Sequence, residues 1–294
     1  MKRQFWYRIL IVPLFVGLFA GVVAVTAATQ PPAVQSLITV NSTADDLTDN
    51  GNCTLREAIH AANMGTAVDI CPAGGVTTTI MIPAGTYTLT IPGNSENNAQ
   101  TGDLDILSEV TIIGASEVET ILNGNNLDRI FDVRDAGDAT ISHLTITGGG
   151  NNGVNAGGGG ARAVEGGAIH LSHVHVTENT SHTRGGLAVL TGTLTIEYSQ
   201  ITQNVAAGSG GGISNSNSPL TISHSLIAEN EAVANGGGLM NIAFSTNTSL
   251  MLTDSEVLNN VVVLTGDYQS FNTGRTATVV AERVTITGNS AARR

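Results

Sequence analysis

The sequence predicts an all-β chain wound as a right-handed, single-stranded parallel β-helix, with a short capping α-helix near its N-terminus. Three observations carry this reading: a repeat of glycine pairs every 26 residues, an offset series of strand-like segments ending in Asn, and a composition rich in Gly but poor in charge and aromatics.

The glycine pairs end at Gly160, Gly186, Gly212 and Gly238, and each is followed by a small or apolar residue: Ala161, Leu187, Ile213 and Leu239. The offset series pairs an apolar-x-apolar segment with apolar-x-x-Asn. Its Asn positions are Asn179, Asn204, Asn230, Asn260 and Asn289, while an earlier copy at Ile146 has Gly149 in that place. Apolar residues two apart put alternate side chains on one face of a strand, and β-branched residues fill these segments. A unit of this length cannot bury a core alone, so the units must stack, each strand pairing in parallel with its equivalent in the next coil. Glycine pairs are expected to supply turns with positive φ. The Asn column is expected to form a ladder of stacked amides at a repeated bend. The stretch from Ala243 to Asn247 lengthens one coil and should bulge as a loop. Further strands are expected in 79–92, 109–114 and 129–133, for roughly seven to nine coils in all.

An open solenoid end exposes unpaired backbone and apolar core. At the N-terminal side a cap is legible, since Thr54 and Glu57 match a capping box and Leu55, Ala58, Ile59 and Ala62 form one apolar stripe of a short helix ending near Gly65. The other end, Asn289 to Arg294, shows no comparable cap. A truncated chain is expected, with further chain or a partner supplying the cover.

Lys2, Arg3 and Arg8 precede an apolar stretch that ends in small residues at Val25–Ala28, which reads as an export signal cleaved after Ala27. The stretch approaches the length of a membrane span, so an uncleaved anchor is the alternative. Three regions follow: 1–27 signal or anchor, 28–114 cap and first coils, 115–294 repeats. Without the signal, nine basic residues face 24 acidic ones, and the chain has neither Lys nor Trp. Nucleic acid is excluded as a partner because phosphate backbones are bound through clustered Lys and Arg. No membrane contact is expected beyond the N-terminal segment.

Cys53 and Cys71 flank the cap helix, either as a disulfide or as two free thiols, and export favours the bridge. Aligned coils place His143, His173, Tyr198, His224, Asp254 and Arg283 in one column, with His170 and His175 near His173. Stacked imidazoles could chelate zinc or copper, but a solvated bend column is the preferred reading. Asp103 and Asp105 could serve Ca²⁺ or cap strand backbones, as could Asp45, Asp46 and Asp49.

The run Asn50-Gly-Asn-Cys53-Thr54-Leu-Arg-Glu57-Ala-Ile-His-Ala-Ala-Asn63 closely resembles the signature of the CSLREA-domain proteins, with Thr54 where the motif has Ser. Ile82-Pro-Ala-Gly-Thr-Tyr87 and Gly102-Asp-Leu-Asp-Ile106 look like the rest of that module, so the match spans about residues 39 to 114. Gly166-Gly-Ala-Ile169 and the apolar-x-x-Asn turns are similar to the repeats of polymorphic outer membrane proteins, with Ile or Val replacing Phe. These resemblances imply an exported β-helix in an adhesin-like or structural role at the cell surface, contacting a glycan or protein, with no catalytic residues to carry over.

The enzymatic alternative is a Ca²⁺-dependent polysaccharide lyase or other glycan-degrading enzyme on a pectate-lyase-like solenoid. Carboxylate-bound calcium would acidify the proton beside a uronate carboxylate, and a basic residue would abstract it. Asp132, Asp135 and Arg134 are the candidates for catalysis, and Asp132, Asp135 and Asp138 for calcium. A solvated acidic turn is the preferred reading of that segment. Carboxylates and Arg converging from adjacent coils on one groove would favour the enzyme; regular ladders without a deep polar cleft would favour the scaffold.

Overall fold

The computed structural model describes residues 35–93, 96–135, 137–151, 157–263 and 276–291. The export signal or anchor of 1–27 lies outside the described residues, as do the last three residues.

The strands wind into a parallel β-solenoid with three sheets. The longest sheet runs, in spatial order, through Gln35–Thr39, Thr77–Met81, Glu109–Ile113, Asp138–Thr147, Ala168–Thr177, Thr193–Glu197, Pro219–Ser223, Thr248–Thr253 and Ala277–Glu282, which makes nine rungs. A second sheet stacks six strands from Leu104–Ile106 to Leu239–Ile242, and a third stacks six two-residue strands from Gly150–Asn151 to Ser290–Ala291. Register is in step from coil to coil. Ile38, Ile80, Ile112, Ile141, Leu171, Ile196, Ile222 and Leu252 align as one buried file down the axis. Each such side chain contributes roughly 2–3 kcal/mol of burial, which a single coil could not provide from its own residues.

The corners follow one rule: a residue in the left-handed region, then an inward hydroxyl or amide that stacks on its equivalent in the next coil. At one corner Glu178, Gln203, Glu229 and Asn259 have φ between 53° and 57°. Behind them the Asn179, Asn204, Asn230 and Asn260 Nδ2 groups each donate to the Oδ1 of the next Asn, at 2.9–3.0 Å. Those Oδ1 atoms also accept the backbone N–H of the preceding Asn, so the buried amides are satisfied along the axis. At the next corner the left-handed residues are His143, His173, Tyr198, His224, Asp254 and Arg283. Here the inward column is Ser199, Ser225 and Ser255, whose Oγ atoms donate to the carbonyls of Glu197, Ser223 and Thr253 at 2.7 Å. The third corner uses Thr191 and Asn217, with Ser218 Oγ accepting the Gly192 N–H at 3.2 Å.

The glycine pairs need a correction. Gly160, Gly186, Gly212 and Gly238 are not at positive φ; Gly158, Gly210 and Gly236, two residues earlier, are. The paired glycines are required for close approach instead. A Cβ at Gly186 would lie 2.6 Å from the Asn204 side chain, at Gly212 2.9 Å from Asn230, and at Gly238 2.7 Å from Asn260. The two sequence series are thus two sides of one contact, a glycine column making room for the amide ladder.

The cap is the helix Leu55–Met64, entered by the Thr54/Glu57 capping box and closed by Gly65 in the left-handed region. Cys53 and Cys71 form a disulfide with Cα atoms 5.0 Å apart. In the chain-entropy model a bridge closing a loop of this size contributes about 3 kcal/mol. The 243–247 loop bulges as expected, its Phe244, Ser245 and Thr246 N–H groups donating to Asn217 Oδ1.

Candidate functional site

The chemistry-bearing residues gather on the outer side of the second sheet, where its first three strands meet. In Leu104–Ile106, Phe131–Val133 and Ala161–Val164, the flanking apolar residues point inward and are buried. The middle positions then share the opposite side: Asp105 pairs in register with Asp132, and Asp132 with Arg162. Three coils therefore deliver two carboxylates and a guanidinium to one file.

Around that file the charges interlock. Arg162 forks Asp132, Nε to Oδ1 at 2.8 Å and Nη2 to Oδ2 at 2.5 Å. Arg129 donates from Nε to Asp103 Oδ2 at 2.5 Å and from Nη1 to the Gly157 carbonyl at 2.9 Å. The cap closes the near side. Arg56, 1% exposed, pairs with Asp45 and donates to the carbonyls of Ala99, Gly102 and Asp103, while Asn63 donates to the Asp105 carbonyl at 2.7 Å.

Asp103, Asp105 and Asp132 are buried, with carboxylate oxygens within 4.8 Å of one another. Burial pushes the Asp103 carboxyl up to about 6, despite the Arg129 charge beside it. Burial, reinforced by repulsion from Asp103, pushes Asp105 up to about 8. Burial opposes the charge on Arg129, but Asp103 and Asp132 outweigh it and raise its pKa. Asp105 Oδ2 accepts the Ala99 N–H, whereas Oδ1 is buried without a partner. The three carboxylates have the spacing of a hard-cation site, yet Arg129 and Arg162 already engage oxygens on two of them.

The reading of 128–138 as one solvated acidic turn is therefore corrected: Asp132 is 2% exposed and belongs to the buried network. Asp135 and Asp138 do not join it. The Gly137 N–H donates to the Arg134 carbonyl across a tight turn, after which Asp138 opens a strand of the longest sheet, 3.8 Å from His170. Arg134 lies between Asp132 at 3.7 Å and Asp135 at 3.5 Å, and its Nη2 pairs with Glu165 at 2.5 Å. Asp132, Asp135 and Asp138 are thus not one ligand set; the grouped carboxylates are Asp103, Asp105 and Asp132. Of the partners missed in the sequence, Arg129 and Arg162, the second is signalled by the repeat itself, because Arg162 follows Ala161 just as Asp132 follows Phe131.

Open grooves lie elsewhere among the described residues. One of about 360 Å³ crosses the outer side of the longest sheet, between Glu109, Asp138, His170 and Glu197. Another, about 570 Å³, runs along the bend column past His173, Tyr198, His224 and Asp254. In that column the rings of His143, His173, Tyr198 and His224 stack with centroids 4.7–5.3 Å apart and planes within 19°. Parallel rings aim their nitrogens side by side rather than at a shared point, so the column is a stack and not a chelate.

No family model matches the sequence, and no curated protein matches it. Among solved structures, the chain is similar to the PL6 family alginate lyase AlyGC, at 14% identity and a TM-score of 0.45, covering 92% of this chain and 42% of that one. An arginine-to-alanine mutant of the same lyase matches at 13% identity and a TM-score of 0.38, with the same coverage. The chain thus spans less than half the length of these neighbours, and the likeness is too distant to bear on activity.

Proposed function

We propose that the protein is an exported β-helix of the CSLREA kind, acting as a non-catalytic surface scaffold in adhesion or structure. One observation carries this reading. The carboxylates that converge from adjacent coils are buried, and Asp103 and Asp132 are paired with Arg129 and Arg162, so this cluster braces the solenoid instead of lining a cleft that a polymer could enter. What faces solvent is repetitive and shallow, the geometry of weak contacts multiplied along an axis. The disulfide is in keeping with export, since such bridges persist in oxidising compartments.

The test is a screen of residues 28 onward against acidic and neutral polysaccharides, with Ca²⁺ and then with EDTA, following ultraviolet absorbance of unsaturated product together with thermal melting. The expected result is no turnover and, at most, a ligand-induced melting shift. Calcium-dependent product formation on a uronate polymer would overturn the scaffold in favour of the lyase.

A further inference from the structure

Two arginines meet Gly157, and one of them has no partner for its guanidinium among the described residues. Gly157 bridges in parallel to Arg184 in the next coil, and its carbonyl accepts from Arg129 Nη1 at 2.9 Å. The Arg184 stem lies directly against it, since a Cβ on Gly157 would sit 2.9 Å from Arg184 Cβ and 3.0 Å from its Cδ. Arg129 is spent on Asp103, and Arg162 on Asp132. Arg184 is half-buried, and among the described residues its guanidinium has neither an ion pair nor a hydrogen bond. Its backbone is held on both sides: its N–H donates to Ser181 Oγ at 3.3 Å, and its carbonyl accepts the Gly158 N–H at 2.6 Å.

This arrangement is costly. Burial, and then repulsion from Arg162, lower the Arg184 pKa, although the chain carries twice as many acidic as basic residues. A partly desolvated cation beside a second cation is what an anion-binding position looks like before its ligand arrives, because one oxyanion relieves both penalties. The neighbouring coils flank it, with Gly157 on one side and Ser209 on the other, where the Ser209 N–H donates to the Thr183 carbonyl at 2.9 Å.

We propose that Arg184, backed by Arg162, is the binding position for an oxyanion of carboxylate or sulfate type. Arg184 supplies the free planar fork, and Arg162, oriented by Asp132, supplies the second charge. The assignment rests on the contact-scaffold reading above and names the chemistry of one contact. An acidic polysaccharide and a small free anion carry the same groups, and the experiment separates them.

Binding to the full chain is measured by calorimetry with a uronate polymer, a sulfated polysaccharide, a neutral polysaccharide, and free acetate and sulfate. Arg184→Gln, Arg184→Lys and the exposed control Arg283→Gln are compared with the parent. The expected result is salt-sensitive binding of at least one acidic ligand, weakened roughly tenfold by Arg184→Gln, less by Arg184→Lys, and unchanged by Arg283→Gln. Affinity for polymer alone identifies a glycan contact, and equal affinity for the free anions identifies a small-ion site. Arg184→Gln removes an unpartnered cation, so its melting temperature should match or exceed the parent's. No anion binding to the parent, or binding indifferent to Arg184→Gln, overturns the assignment and leaves the scaffold reading standing; product formation from a polymer overturns the scaffold reading instead.

Discussion

The coils up to Arg162 and the coils beyond it solve the same problem with different chemistry. In the first group, single charged residues interlock: Arg56 with Asp45, Arg129 with Asp103, Arg162 with Asp132, each pair bridging elements that occur once. In the second, neutral side chains repeat at one position per coil, and the Asn and Ser columns satisfy each other in file. A ladder is modular, because each rung makes the same bond to the next. A charge network is not, because removing one member leaves another buried and unpaired. The network stands where the cap helix meets the first coils, a junction made once, and the ladders stand where the chain only needs to continue.

The largest expected effect falls on the network. Asp132→Ala should cost about 3–5 kcal/mol, because it strands Arg162 and weakens the hold on Arg129. Urea denaturation measures it, and a loss under about 1 kcal/mol would mean the network does not carry the first coils. Next comes the ladder, where position should matter more than identity. Asn230→Ala, which breaks bonds to Asn204, Asn260 and the Ile201 carbonyl, should cost about 2–3 kcal/mol. Asn289→Ala at the last described rung should cost less than about 1 kcal/mol by the same measurement, since its side chain is solvent-exposed. Equal losses at both would contradict a cooperative ladder.

A third effect has the opposite sign and depends on pH. The folded-state carboxyls of Asp105 and Asp103 titrate near 8 and near 6, whereas in the unfolded chain they ionise near 4. The folded state therefore holds protons that the unfolded chain has released. Stability from these groups is full below pH ~4 and declines as pH rises towards ~8. Asp105→Asn removes that decline while its amide oxygen can still accept the Ala99 N–H. It should gain about 1–2 kcal/mol over the parent at pH 9 and nothing at pH 4. Denaturation at the two pH values decides; a variant less stable than the parent at pH 9 would show that the ionised carboxylate is needed.

Legibility divides along the same line. The Asn column, the strand pairs and the capping box could be read because each is a local pattern or a repeat at fixed spacing. The role of the paired glycines is not legible, because positive φ is the common reason for Gly in turns, whereas here the Asn204, Asn230 and Asn260 side chains exclude a Cβ. The Ser199–Ser225–Ser255 column also repeats once per coil, but it directly follows the Tyr198, His224 and Asp254 column, whose chemistry is the stronger signal. Asp132 reads as solvated because six of the eleven residues from Asp128 to Asp138 are acidic or basic, and nothing local shows which of them turns inward.

By itself, the sequence determined the solenoid, its period, its cap and its amide ladder, because translational repetition makes every coil report the same contacts. Only the tertiary structure decided which charges are buried, which pair, and that Arg184 is left over. Those outcomes depend on register between coils that differ in length, where one residue more or less in a turn moves a side chain to the other face of the sheet.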